Sequence, residues 1–405
     1  MRRAWIALFA LAVATPAYAS FPDLVGIGPR SAAMAGLGAA DADDYEAAYL
    51  NPAGLAAARR RRITVGYFGG RYQLKMDAMP RNVTDTDGIL IGASLPLPFG
   101  GVMTNRLALG VAFYFPLGLI NRAKGEFPSV PRLALLDNRT QTVSIMIGLG
   151  AQVHERVRVG IGVLALAALV GHIDIATDAS GSATTVSQQQ LVTNFAPVVG
   201  IQVKAASFAQ VGVTLRGESR SDFDISIKPD LGDSLPIALP TLRVAGTSQY
   251  DPLQMAMEAA FDATKLVRIS VGVTWKHWST YTYPIKNATD GAPPLPAVDF
   301  HDTAVPRLGF ELGGAVPRAP KLTVVGRAGY AFEWSPAPTN AYADGTQRTL
   351  LDADRHIVSA GLGLGYRGRV VGGRLDAFGQ LHALTGSPRA TGLFATFGVA
   401  LGIDL

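Results

Sequence analysis

The last fifteen residues alternate strictly. Leu393, Ala395, Phe397, Val399, Leu401, Ile403 and Leu405 fall on one side, and Gly392, Thr396, Gly398, Gly402 and Asp404 on the other. A side-chain period of two belongs to an extended strand, because a helix repeats its faces at i, i+3 and i+4. The pattern recurs. Val267, Ile269, Val271, Val273 and Trp275 oppose Arg268, Ser270, Gly272, Thr274 and Lys276. Leu308, Phe310 and Leu312 oppose Arg307, Gly309 and Glu311, and Val143, Ile145, Ile147 and Leu149 oppose Thr142, Ser144, Gly148 and Gly150. In each, the uniform face is the apolar one. A β-sandwich would also alternate, but its solvent face would be uniformly polar. An apolar outer face with a small or polar inner one is the signature of a barrel in lipid.

Composition narrows this further. The chain has 405 residues, 45 glycines, no cysteine and 17% charged residues. Without cysteine the fold is held by packing and backbone hydrogen bonds, and a thiolate metal site is excluded. Arg2 and Arg3, the apolar stretch Trp5 to Val13 and Ala17-Tyr18-Ala19 read as a secretory signal peptide over 1–19. Beyond it the longest apolar run, Val159 to Gly171, is 13 residues, short of the roughly 20 that a spanning helix needs. A closed β-barrel is the other way to satisfy a backbone in a bilayer. The net charge of +5 supports no nucleic-acid reading.

The alternating segments are expected at 61–75, 87–97, 105–117, 139–153, 156–172, 191–204, 208–227, 250–262, 266–283, 304–314, 321–333, 356–366, 370–383 and 391–405. That is an all-β transmembrane antiparallel barrel of about 14 strands. Long polar connections at 118–138, 173–190, 228–249, 284–303 and 334–355 alternate with short ones. Short turns belong at the periplasmic end. Trp275, Trp278, Tyr281 and Tyr283, with Tyr330, Phe332 and Trp334, are expected as an interfacial aromatic girdle.

Several stretches resemble the FadL/TodX family of outer-membrane hydrocarbon transporters. They are "GPRSAAMAGLGAADADDYEAAYLNPAGLA" (28–56), the "W-x-x-W-S" end of "LVRISVGVTWKHWSTYTY" (266–283), and Asp352-Ala353-Asp354-Arg355-His356 within 327–366. The likeness runs over nearly the whole chain after the leader and departs at about 173–250. It implies a barrel (59–405) plugged by an N-terminal hatch (20–58), and uptake of long-chain fatty acids or related apolar compounds. It also implies lateral release into the membrane at the third strand.

A wide barrel leaves a lumen to fill, and 20–58, rich in glycine and alanine, suits that place. Asn51, Pro52 and Ala53 either fix the turn into strand one or simply stop a helix. Asp41, Asp43, Asp44 and Glu46 either pair with inward arginines or are solvated at the periplasmic end. Arg59 to Arg62 either anchor the barrel base at headgroups or form a solvated turn. In 156–172 the face opposite lipid is itself apolar. Leu164, Leu166 and Val170 either line a ligand path or pack on the hatch. In strand three, Gly110, Pro116 and Gly118 either kink the strand at the lateral opening or end it. Arg268, Arg307 and Arg327 are candidates to bind a substrate carboxylate, and each could equally hold a hatch carboxylate.

No H-E-x-x-H, G-x-S-x-G or phosphate-loop pattern occurs, so no enzyme activity, cofactor or metal is expected. The expected partners are a hydrophobic small molecule and outer-membrane lipid, with the chain a monomer. The alternative is a general diffusion porin for small polar solutes; an open pore would need no plug. A structural or adhesive barrel would lack the inward apolar wall.

Overall fold

The structure is a computed structural model and describes residues 22–80, 83–101, 104–118, 132–137, 143–177, 183–230, 242–281, 285–287, 299–338, 350–368 and 370–405. The stretch 1–19, read above as a leader, and Tyr283 lie outside these residues.

Fourteen strands close into an antiparallel barrel. They are β1 Arg62–Met76, β2 Thr86–Pro96, β3 Leu107–Pro116, β4 Ser144–His154 and β5 Val157–Thr177. Next come β6 Ala183–Ala206, β7 Ala209–Arg216, β8 Leu253–Asp262, β9 Val267–His277 and β10 Thr303–Val316. The circuit ends with β11 Ala319–Glu333, β12 Asp354–Arg367, β13 Gly372–Thr385 and β14 Ala390–Asp404. Sequence neighbours pair around the ring. β14 returns to β1 along its whole length, from Arg62↔Asp404 to Met76↔Ala390. Closure leaves no strand edge, the condition for a sheet in lipid.

The outer face follows the sequence pattern. Ile63, Val65, Ile89, Ile91, Ile161, Val199, Phe310, Leu312, Leu362, Leu364 and Leu401 are exposed and form a continuous apolar surface. Among the described residues no helix is long and apolar enough to cross a membrane.

Two departures have local causes. The seventh segment does not run unbroken through 227. β7 stops at Arg216, paired with Val198. Beyond it stands Pro197, which has no N–H to donate, and Gly217 turns away while donating to the Pro197 carbonyl at 2.8 Å. The chain then forms a hairpin of Ser219–Asp230 with Leu242–Asp251 before Pro252 leads into β8. The second departure is the aromatic girdle. Tyr330 and Trp334 are exposed. Trp278 and Tyr281 are buried instead, because a 3-10 turn at Trp278–Thr280 ends the alternation after His277. They pack with Tyr250 and Phe300 as an internal cluster.

Residues 22–57 fold as three short helices, α1 Pro22–Val25, α2 Pro29–Ala33 and α3 Ala47–Leu50, and a 3-10 turn at Pro52–Ala57. They are buried against the inward faces of the strands and hold much of the apolar core. The core of this molecule therefore lies inside the barrel.

Candidate functional site

On one flank the N-terminal segment meets bare backbone. Glycines pair with glycines across β3 to β6: Gly110 with Gly148, Gly148 with Gly162, Gly150 with Gly160, and Gly160 with Gly200. A Cβ at Gly160 would overlap the backbone of Pro52 and Ala53, and one at Gly200 would overlap the Asn51 side chain. Leu55, wholly buried, fills the gap over Gly110 and Gly148.

Asn51 is the hinge of this contact. Its Oδ1 accepts from the Ala53 N–H at 3.1 Å and so caps the 3-10 turn. Its Nδ2 donates to the Ala39 carbonyl (2.7 Å) and to Ile201 on β6 (3.0 Å). Gln202 donates to the Ala39 carbonyl at 3.2 Å, and Thr214 to the Leu50 carbonyl at 2.7 Å. The sequence order Asn-Pro-Ala thus builds a turn stitched to the wall. On the outer surface, behind the same strands, lies a shallow apolar groove of about 500 Å³ lined by Leu149, Val159, Ile161, Val199, Ile201 and Leu215.

The opposite flank is charged. Asp41 receives Arg30 at 2.7 Å and Arg268 at 2.8 Å, and Arg268 also holds Asp262 at 2.7 Å. Arg327 bridges Glu311 (2.7 Å) and Asp376 (2.8 Å). Arg307 donates to the Ala35 carbonyl at 3.0 Å and to Thr274. Glu258, inside β8, accepts from the N–H groups of Gly38 (2.8 Å), Ala39 (2.6 Å) and Ala40 (3.3 Å). Below this network a polar vestibule of about 680 Å³ opens at the short-turn end, lined among others by Arg30, Asp41, Arg60, Arg62, Arg268 and Arg374.

Within the segment, Glu46 accepts from the Arg30 N–H (3.2 Å) and the Ser31 N–H (2.9 Å), the first turn of α2. Burial, then the neighbouring Asp44 carboxylate, push Glu46 up to about 7 against the pull of Ser31 and Arg30. Burial and Asp43 likewise push Asp44 up.

At the long-loop side, Lys276 is fully buried and holds Asp23 at 2.7 Å and Glu333 at 2.6 Å; Glu333 also takes Arg355. A small cavity of about 40 Å³ lies between α1, α2 and the wall, lined by Arg216, Glu258, Arg307 and His382 among others. Arg216 has no carboxylate among its described contacts. It donates to Gln254 Oε1 (2.8 Å) and the Tyr49 carbonyl (3.4 Å) and lies 4.5 Å over the Tyr49 ring, while its buried Nε finds no acceptor.

The candidates from sequence now have places. Asn51, Pro52 and Ala53 come together at the wall. Arg268 and Arg327 spend their hydrogen bonds on carboxylates, and Arg307 on neutral acceptors. Leu164 is buried in the core; the side chains of Leu166 and Val170 lie outside the described set. β3 is laddered to β2 from Ala108 to Pro116 and to β4 from Leu107 to Tyr114. Pro116 is its last residue, Gly118 lies beyond it, and Gly110 receives Leu55. Glu258 escaped the sequence reading, since one acid in "LQMAMEAAFD" carries no mark of what it will grip. Ser279, His277 and Asp302 meet at the surface, but Ser279 Oγ and Asp302 both reach the same ring nitrogen, Nδ1 (3.3 and 3.0 Å). A hydrolytic triad needs the serine on the other nitrogen.

No family model matches the chain, and no curated protein does. Solved structures do. A Pseudomonas aeruginosa FadL homologue superposes with a TM-score of 0.61 at 15% identity, over 96% of this chain and 99% of that one. The Pseudomonas putida toluene transporter TodX gives 0.58 at 14% identity, over 96% and 99%. The Ralstonia pickettii toluene transporter TbuX gives 0.56 at 16%, over 94% and 99%. At such identities the likeness is one of fold.

Proposed function

We propose that this chain is a passive outer-membrane channel for the uptake of hydrophobic compounds, such as long-chain fatty acids or aromatic hydrocarbons, in a Gram-negative bacterium. The observation that carries the reading is the occupied lumen. Residues 22–57 fill the space that a diffusion pore for polar solutes would leave open. We take 20–58 as a hatch, 59–405 as the barrel and 1–19 as a cleaved leader, with the chain acting as a monomer and without enzyme activity. The toluene and FadL transporters that share the fold support the substrate class.

In this mechanism the substrate enters from the long-loop end and moves along the lumen as the hatch shifts. For a fatty acid, Arg216 is the better-placed cation, since Arg268 and Arg327 already hold carboxylates. Lateral exit at β3, through Gly110, Pro116 and Gly118, requires Leu55 to leave its seat on Gly110 and Gly148 so that the ladder can part. A concentration gradient and downstream consumption supply the drive.

The test is flux into proteoliposomes of oleate, toluene and a sugar of similar mass. Oleate or toluene entry well above sugar entry supports the proposal. Equal or faster sugar entry favours the diffusion pore and overturns it.

A further inference from the structure

The short-turn end of the barrel carries a ring of cations that no ion pair explains. Six turns lie at this end, and each has an exposed basic residue in or beside it: Arg106, Arg156, Lys204, Lys265, Arg318 and Arg367. None of the six makes an ion pair with a described residue, unlike basic residues at the other end, where Arg389 holds Asp77 (2.7 Å) and Arg71 holds Asp87 (2.9 Å). Asp262 and Asp404, at the ends of β8 and β14, are taken by Arg268 and Arg62, and Glu155, beside Arg156, is the one acid in the six turns. Like charges gathered this way repel one another unless something anionic faces them.

Large apolar side chains stand beside the cations. Phe99, Val153, Phe208, Leu266 and Val370 are each more than half exposed, Val370 at 83%. An apolar tip next to a free cation is costly in bulk water. It suits the zone where acyl chains give way to phosphates, in which the tip is buried and the charge is met.

We propose that this rim is a binding surface for the phosphate groups of anionic phospholipid in the leaflet around the barrel base. The symmetry of the charge selects that partner. A docked protein would cover one arc, whereas a leaflet surrounds the barrel and meets all six turns. The inference rests on the membrane placement proposed above.

The experiment uses the full chain after leader removal, reconstituted in phosphatidylcholine nanodiscs with and without phosphatidylglycerol. Spin-labelled phosphatidylglycerol and phosphatidylcholine report which lipid occupies the shell around the protein. The wild type is expected to hold the anionic lipid roughly threefold or more over the neutral one, with the preference fading as salt rises. Two variants divide the ring: Arg106→Gln with Arg156→Gln and Lys204→Gln, and Lys265→Gln with Arg318→Gln and Arg367→Gln. Each is expected to remove about half of the preference on a logarithmic scale, with barrel closure checked by heat-shifted gel mobility.

A wild type that inserts but shows no preference overturns the inference alone. A loss confined to one arc also overturns it and points to a protein partner docked there. A wild type that enters no bilayer fails the membrane reading itself.

Discussion

The two flanks of the N-terminal segment hold it by different physics. Towards β3–β6 the contact is steric, with glycine backbone against Asn51, Pro52, Ala53 and Leu55. Towards β8–β14 charge is added to such contacts: Gly329 and Gly361 lie against Met34 and Ala33, while Asp41, Glu258, Glu311 and Asp376 exchange hydrogen bonds with arginines and backbone N–H groups. A close-packed contact either fits or does not, because interiors transmit small volume changes. Within the charged network the Arg268–Asp262 pair, partly open to the vestibule, can exchange partners with water at modest cost, whereas Arg327, Asp376 and Glu258 are buried and lose their partners only at a high one. We propose that the glycine flank is the fixed seat and the vestibule side of the charged flank, at Arg268, the side that lets go.

The comparison breaks most sharply at Gly160. Gly160→Leu places side-chain atoms where Pro52 and Ala53 now lie, and the segment must leave its seat. We expect single-channel conductance for small ions to rise by about tenfold or more while the barrel still closes. An unchanged, silent channel would show that the glycine flank is not the seat. Asn51→Ala is next. It strips a cap and several hydrogen bonds from buried carbonyls, and each buried partner left unmet costs about 1–3 kcal/mol. Amide exchange across 39–57 should quicken by about tenfold or more relative to that of the strands.

The segment's own carboxylates should respond less abruptly, and to pH. Glu46, pushed up to about 7, is protonated in the folded segment over a range where an unfolded one would be ionised. Its raised value contributes stability that is present below about pH 4.5 and lost as pH rises through about 7. Segment amides at Arg30 and Ser31 should thus exchange faster at pH 8 than at pH 5, after correction for intrinsic rates, and Glu46→Gln should flatten the difference. The smallest effect is expected from Arg268→Gln. Its ion pairs are partly open to solvent and worth about 1 kcal/mol or less. Thermal unfolding should shift by only a few degrees, and a collapse of the barrel would mean that this flank is as rigid as the other.

The barrel was legible because alternation is enforced residue by residue. A strand between lipid and lumen reveals both faces in its own sequence, and β9, β10 and β14 do so. The break after Arg216 was less legible because it depends on Pro197, a residue of the neighbouring strand. Trp278 and Tyr281 looked like girdle residues because their type suits an interface, but one 3-10 turn swung them inward. The pairing of Arg268 with Asp41 stood among the sequence alternatives. That of Arg327 with Glu311 and Asp376 did not, since those acids belong to the wall itself.

The sequence alone determined that this chain exposes an apolar exterior, and that residues 22–57 are small enough to pass inside a closed sheet. Period-two patterning and side-chain volume are local properties, and they survive without any knowledge of neighbours. Which glycines face which atoms, and which carboxylate each arginine meets, were decided only when fourteen strands closed around the segment. Contacts such as Gly160 with Pro52, or Glu258 with Ala39, join residues far apart in the chain. Their geometry is set by ring register, which no single strand encodes.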